Sequence, residues 1–342
     1  MSYQISQIKA RLSQSIFSLG ILFTFTNEEI RQFFLKPFSL PPNSFESLFV
    51  LLLIIFVTIF VLIFPFKIWS NFYLEQKFGD FEIDFFQFLF QELKSFVLSF
   101  FLVSIFSWIL VWCIFEFSKA WFLVLSVILG SLNLFFAKIF PALLMPFFYE
   151  LKPFENHSLK TKIKEFLKIN LEIFVAKGAK VEAKIYGFGG TSRKILLSEG
   201  LLERLDENEI LAVLSHELGH LKKYHNLKKI IYENYWTIFI LFCADFILGE
   251  FLEFEFLLEQ GLVYLLILVF IFHSLVSVVE NYTSRKFELE ADLLAVKFSG
   301  KNSLKSALLK IEETETLPKW IEFLFLSHPT LERRLKAIEN FE

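Results

Sequence analysis

Apolar and polar positions in this chain are segregated into long blocks. Five apolar blocks come close to the roughly 20 residues that a helix needs to cross a hydrocarbon core: about 47–66, 95–115, 121–144, 235–248 and 262–279. The fourth is the shortest and carries Asp245. An earlier run, 16–25, is too short to cross unaided. It leads into Asn27-Glu28-Glu29 with no small-residue cleavage site, so it reads as a retained anchor or an interfacial helix.

Two largely polar regions remain, 150–232 and 281–342. The first opens on a lysine-rich amphipathic helix pattern at 159–171. Two β-like runs follow, 180–186 and 194–197, around Gly187-Phe188-Gly189-Gly190, which reads as a hairpin turn. Asp206, with Glu209 three residues on, then forms a capping-box pattern ahead of Ile210-Leu211-Ala212-Val213-Leu214, predicting a helix start.

Composition agrees with a lipid-facing chain: 55% of the 342 residues are hydrophobic and 48 are phenylalanine. The net charge of -3 leaves no basic footprint for a nucleic acid, so none is expected as a partner. Cys113 and Cys243 lie inside apolar runs and read as small hydrophobes. Lysine and arginine concentrate in 67–94, 150–234 and 281–342, whereas 250–259 has four glutamates and no basic residue. Five crossings put all three basic segments on one side, which the positive-inside tendency makes the cytoplasm.

The capped helix carries His216-Glu217-Leu218-Gly219-His220. Residues four apart share a helix face, so both imidazoles can reach one ion with Glu217 beside it. A catalytic zinc takes three protein ligands and leaves one position to water, so a third ligand must come from elsewhere. A third histidine further along the same run is excluded, because the required offsets hold Lys223 and Asn226. The better source is Ser284-Arg285-Lys286-Phe287-Glu288-Leu289-Glu290-Ala291-Asp292, where a helix sets Glu288 and Asp292 on one face. Glu288 completes a two-histidine, one-glutamate set, and Asp292 can orient a ligating histidine. His225 reads as structural or solvated, and His157 and His273 receive no role. Asp245 and Glu233 lie near the membrane, where charge is expensive; a functional place and a wet cavity at a span's end are equally open to them.

These residues resemble the gluzincin membrane proteases typified by the type I CAAX prenyl endopeptidase and by bacterial heat-shock membrane proteases. The stretch 211–220, followed by His225, looks like the family's first signature, and Ser284-Arg285 with Glu288, Ala291 and Asp292 like its second. Ser327-His328-Pro329-Thr330-Leu331-Glu332-Arg333-Arg334-Leu335 resembles the third, which implies that His328 and Arg334 face the peptide and the reaction centre. Tyr73-Leu74-Glu75-Gln76-Lys77-Phe78-Gly79 and Ile185-Tyr186-Gly187-Phe188-Gly189 resemble the prenyl-protease branch.

The resemblance implies a predominantly α, polytopic transmembrane helical bundle with a cytoplasmic zinc-metalloprotease domain containing a small β-sheet. Residues 1–149 would hold about three spans and the short N-terminal segment. Residues 150–342 would form a peptidase domain interrupted by the spans at 235–248 and 262–279. One zinc ion would be held by His216, His220 and Glu288, with Asp292 behind them. Glu217, His328 and Arg334 would be catalytic. An edge strand with Ala183, Ile185 and Tyr186 would bind substrate, although Ala183-Lys184 stands where the family usually has an asparagine-alanine pair. The implied partners are membrane lipid and a peptide or protein, prenylated at its C-terminus in the CAAX reading, and the implied place is the cell inner membrane. The alternatives are a quality-control protease of the heat-shock type and a catalytically inactive membrane scaffold.

Overall fold

The structure is a computed structural model that describes residues 3–78, 84–143, 150–167, 172–177, 183–186, 194–251, 258–312 and 318–341. The hairpin turn expected at 187–190 and most of the acidic loop at 250–259 lie outside the described residues. The chain divides into two compact units, Met1–Gly130 with Asn234–Val276, and Ser131–Glu233 with Ser277–Glu342.

The first unit is built from α1 (Tyr3–Thr24), α2 (Glu28–Leu35), α3 (Phe45–Lys67), α4 (Leu74–Phe78) and α5 (Phe85–Phe117). It also takes part of α6 (Trp121–Leu143), much of α10 (His225–Phe251) and the start of α11 (Leu258–Ser299). Four described segments are long and apolar enough to cross a membrane: Phe45–Lys77, Phe85–Phe117, His225–Gly249 and Leu258–Ser299. A shorter apolar stretch, Trp121–Ala137, falls in α6. The expected apolar blocks are helical wherever they are described, and all but the third lie in helices that run further than the block. The helix α5 begins ten residues before the expected span because Glu92 pairs with Lys67 at 2.9 Å, so a charge that lowers local hydropathy has its partner in place. Phenylalanine fills the seam between α3 and α5: Phe60 and Phe96 have ring centroids 4.5 Å apart, and Phe56 stacks on Phe96 at 6.1 Å. Asp245 accepts a hydrogen bond from Trp121 Nε1 at 2.6 Å. The segment expected at 16–25 belongs to a 22-residue helix, because Gln7 and Gln14 of its polar half hydrogen-bond to Ser70.

The second unit holds a four-stranded sheet and the helices packed on it. Its strands are β1 (Glu150–Pro153), β2 (Glu172–Lys177), β3 (Ala183–Tyr186) and β4 (Lys194–Ser198), in the order β1-β2-β4-β3. The two strands read from sequence are β3 and β4, paired antiparallel with Ala183 opposite Leu197. The other two were not expected; β2 runs parallel to β4 and antiparallel to β1. The helices are α7 (His157–Leu167), α8 (Glu199–Arg204), α9 (Glu207–Lys222), α12 (Lys301–Ile311), α13 (Lys319–Phe325) and α14 (Leu331–Glu339), with the end of α11.

The helix α9 forms where expected. Asp206 Oδ1 accepts the Asn208 and Glu209 amides, and Glu209 returns a bond to the Asp206 amide. Ile210, Leu214 and Leu218, spaced by four, bury one face against Ile195, Leu197 and Leu201 of the sheet side. Ala212 buries the opposite face against Ala295, Leu304 and Leu331. Each of Ile210, Leu214 and Leu218 contributes about 1.5–3 kcal/mol of burial, and with Ala212 packed opposite, the helix is held on two sides and its remaining face is left for chemistry.

Candidate metal centre

Burial on both flanks turns His216 and His220 to one side of α9, toward α11. The approach of these two helices depends on Gly219. A methyl group there would lie 3.0 Å from Ala291 Cα and 3.2 Å from the Ala291 carbonyl oxygen. With no Cβ at 219, Glu288 of α11 comes within reach of both imidazoles.

The Nε2 atoms of His216 and His220 are 3.1 Å apart, and the Glu288 carboxylate oxygens lie 3.3 Å from the first and 3.5 Å from the second. Three ligands bonded at 2.0–2.2 Å in a tetrahedron are held on the order of 3.4 Å from one another. The donor set and its spacing therefore fit a tetrahedral divalent ion with one position left over, and these three residues form a group able to hold a metal.

Behind the ligands the polar groups are satisfied. His216 Nδ1 meets Asp292 Oδ1 at 2.9 Å, so this ring is oriented by a carboxylate with no solvent exposure. Burial alone would push the His216 imidazole down. The hydrogen bonds to Asp292 and Glu288 overcome it and hold its pKa at about 10, so the metal-free ring keeps a proton. Arg334 binds Asp292 through both ends of its guanidinium, Nε to Oδ2 at 2.8 Å and a terminal nitrogen to Oδ1 at 2.5 Å. It also pairs with Glu312. Burial disfavours its charge, but these carboxylates raise its pKa above an already high value.

His328 is two-thirds exposed, with Nδ1 3.4 Å from Glu288 Oε2. Its loop is fixed from α11: the Arg285 guanidinium donates to the carbonyls of Glu322, Phe323 and Leu326, and Asn281 donates to that of Leu324. These are carbonyls at the C-terminal end of α13, where a helix lacks internal donors. His216, Glu217, His220, Glu288, His328 and Arg334 all line one cavity of about 520 Å³, with Ala183 and Lys184 of β3 on its wall. The structure thus brings together the ligand set, Glu217, His328, Arg334 and the start of the edge strand. Of the other residues expected to bind substrate, Ile185 and Tyr186 lie in β3 opposite Ile195 and Lys194.

Sequence reading sets His225 after the first signature as a structural or solvated histidine, and the structure buries it. It opens α10, has no exposed surface, and places Nδ1 3.1 Å from His220 Nδ1. His157 begins α7, and His273 is exposed on α11. Glu233 accepts from Asn133 at 3.1 Å.

The chain is similar to known proteins along most of its length. Residues 158–342 match the model of peptidase family M48, and residues 1–150 match the model described as CAAX prenyl protease N-terminal, five membrane helices. The probable CAAX prenyl protease 1 of Schizosaccharomyces pombe is 30% identical over 300 residues, covering 80% of this chain and 62% of that protein. Protease HtpX of Pseudomonas syringae pv. tomato is 26% identical over 192 residues, covering 49% of this chain and 65% of the relative. This chain thus spans less than two thirds of the length of either curated relative. The crystal structure of S. mikatae Ste24p superimposes with a TM-score of 0.75 at 23% identity, over 94% of this chain and 80% of that one. The matched N-terminal model and the apolar helices make the chain an integral, multi-pass membrane protein.

Proposed function

We propose, from the premise that this chain belongs to peptidase family M48, that it is a zinc metalloendopeptidase acting on a peptide at the membrane. The observation that carries the reading is the triangle of His216, His220 and Glu288 ligand atoms, 3.1 to 3.5 Å on a side, with Glu217 lining the same cavity. Mixed imidazole and carboxylate donors in a tetrahedral set suit zinc, with one position open. Bound there, zinc supplies Lewis acidity, lowering the pKa of water to about 7 and polarising a carbonyl.

The protein's own groups do the rest. Glu217 accepts the proton of the attacking water and returns it to the leaving amine. His328, exposed at the site, donates to the oxyanion of the tetrahedral intermediate or holds the peptide. Arg334 is assigned to the same wall; its bonds to Asp292 support a contribution made through His216, whose ring Asp292 orients. The strand β3, at the edge of the described sheet, supplies Ala183, Ile185 and Tyr186, whose main chain can pair with an extended peptide.

The relatives named CAAX prenyl protease and the N-terminal model matched over 1–150 favour a C-terminally prenylated substrate. The relative named HtpX matches a smaller share of the chain, so the quality-control reading ranks second. The distribution of basic loops supports a catalytic site facing the cytoplasm, and the cell inner membrane is the location proposed.

The test compares wild type and Glu217→Gln in detergent, for bound zinc and for cleavage of a farnesylated CAAX peptide and of casein. The reading expects zinc in both and cleavage of the prenylated peptide by wild type alone. Cleavage of casein alone would favour quality control. A folded wild type that binds no zinc would overturn the metal reading.

A further inference from the structure

We infer that His225 is a positioning residue that fixes the tautomer and tilt of the ligand His220, as Asp292 does for His216. The inference rests on the proposed role of His220 as a metal ligand. A histidine that ligates through Nε2 must carry its proton on Nδ1 when neutral, and that N–H needs an acceptor. For His216 the acceptor is Asp292. For His220 the atom facing Nδ1 is His225 Nδ1, at 3.1 Å.

Two facing imidazole nitrogens form a bond only if one is protonated. The His225 ring can be the acceptor because its other nitrogen has a carboxylate of its own: Nε2 lies 3.3 Å from Glu290 Oε2. The chain of donors then runs one way, from His220 Nδ1–H to His225 Nδ1, and from His225 Nε2–H to Glu290. The reverse assignment would leave His220 protonated at Nε2, the atom 3.1 Å from His216 Nε2.

The surroundings hold His225 in that pose. Its ring has no exposed surface and stacks on Phe287 at 4.3 Å with an interplanar angle of 7°. Phe287 neighbours the ligand Glu288 on α11, so one helix supplies a metal ligand, the stacking partner and the terminal carboxylate. The turn that brings His225 back is itself unusual. Tyr224, between α9 and α10, has φ of 56°, a left-handed conformation that non-glycine residues rarely adopt. Without that reversal α10 would carry His225 away from His220, and such strain persists where surrounding contacts hold it.

The test is zinc affinity of the full chain in detergent, measured by chelator competition alongside thermal unfolding of the metal-free protein. His225→Phe keeps the stack on Phe287 and removes the acceptor. His225→Asn removes the stack and keeps an acceptor oxygen near the place of Nδ1. Expected are a 10- to 100-fold loss of zinc affinity in H225F, recovery to within about threefold of wild type in H225N, and similar unfolding of metal-free H225F and wild type. Wild-type affinity in H225F overturns the inference, as does an equal loss in both variants, which would mark a packing role. If H225F does not fold, Glu290→Leu decides. It frees His225 to take the competing tautomer, so an affinity loss of about threefold or more supports the inference, and wild-type affinity overturns it. A wild type that binds no zinc fails at the metal reading itself, an outcome distinct from all of these.

Discussion

Gly219→Ala is the most economical perturbation of the site, because it adds one methyl group and touches no ligand. The new Cβ would meet Ala291 at 3.0 Å from Cα, 3.2 Å from the carbonyl oxygen and 3.3 Å from Cβ. Ordinary carbon contacts need about 3.5–4.0 Å, and the first two atoms are backbone that cannot rotate away. The helices α9 and α11 must therefore separate by about 0.5–1 Å. Overpacking of this kind costs about 1–3 kcal/mol, while replacing glycine within a helix returns close to 1 kcal/mol. The net effect on stability is small, about 0–2 kcal/mol. The effect on the metal is not small. Glu288 lies three residues from Ala291 on the same helix, and ligand distances tolerate only about 0.2 Å. A tenfold or greater loss of zinc affinity, by chelator competition, is expected with little change in thermal unfolding of the metal-free protein. If G219A binds zinc as tightly as wild type, the helix–helix contact does not set the ligand geometry and the reasoning is wrong.

Other expectations follow from the same contacts. Arg334→Leu leaves Asp292 buried without its counter-charge, a loss of about 3–5 kcal/mol that thermal unfolding should register. Arg334→Lys should restore only part of it, because lysine cannot bridge both oxygens. Arg285→Ala removes the donors that hold the end of α13, so cleavage should slow by about tenfold while zinc content stays at the wild-type level; loss of zinc would point to general unfolding. Glu209 is tied to Lys310 and Ser306. Burial raises its pKa, but these bonds and the Asp206 amide outweigh it and hold the carboxyl below its ordinary 4.5. Its contribution is therefore fully present above about pH 4.5 and fades as pH falls through the lowered value. Acid titration of unfolding should show this loss in wild type and not in Glu209→Gln; identical profiles would sink the assignment.

The site was legible in sequence where chemistry repeats at helical spacing. His216 and His220 share a face at i and i+4, and Glu288 with Asp292 repeats that spacing on a second helix, so spacing offered these four residues as candidates and the family resemblance joined them into one set. The capping box at Asp206 marked the start of α9 for the same local reason. The contact of His225 with His220 was not foreseen, because it depends on a left-handed residue at Tyr224 and nothing in a tyrosine signals φ of 56°. Arg285 looked like part of a signature, yet its use lies across sequence, on carbonyls of 322–326. In the membrane unit, hydropathy found the apolar middles of the helices and lost their ends, where Glu92 or Gln7 is satisfied by a distant partner. The strand β2 was missed because its pairing with β4 is parallel and joins segments some twenty residues apart, which short-range alternation does not reveal.

If substrate pairs with β3 as proposed, the place of this strand at the edge of the described sheet bears on what would be cut. A peptide that joins an edge strand is read through its main chain, about 3.3 Å per residue, so the four residues of β3 measure out roughly 13 Å of unfolded polypeptide. Side-chain identity matters less to such a reader than conformational freedom does. A folded domain presents no free strand and is passed over, and a proline in register forfeits a pairing hydrogen bond. On that proposal, protection from cleavage would be a property of how tightly a neighbouring protein holds its own tail.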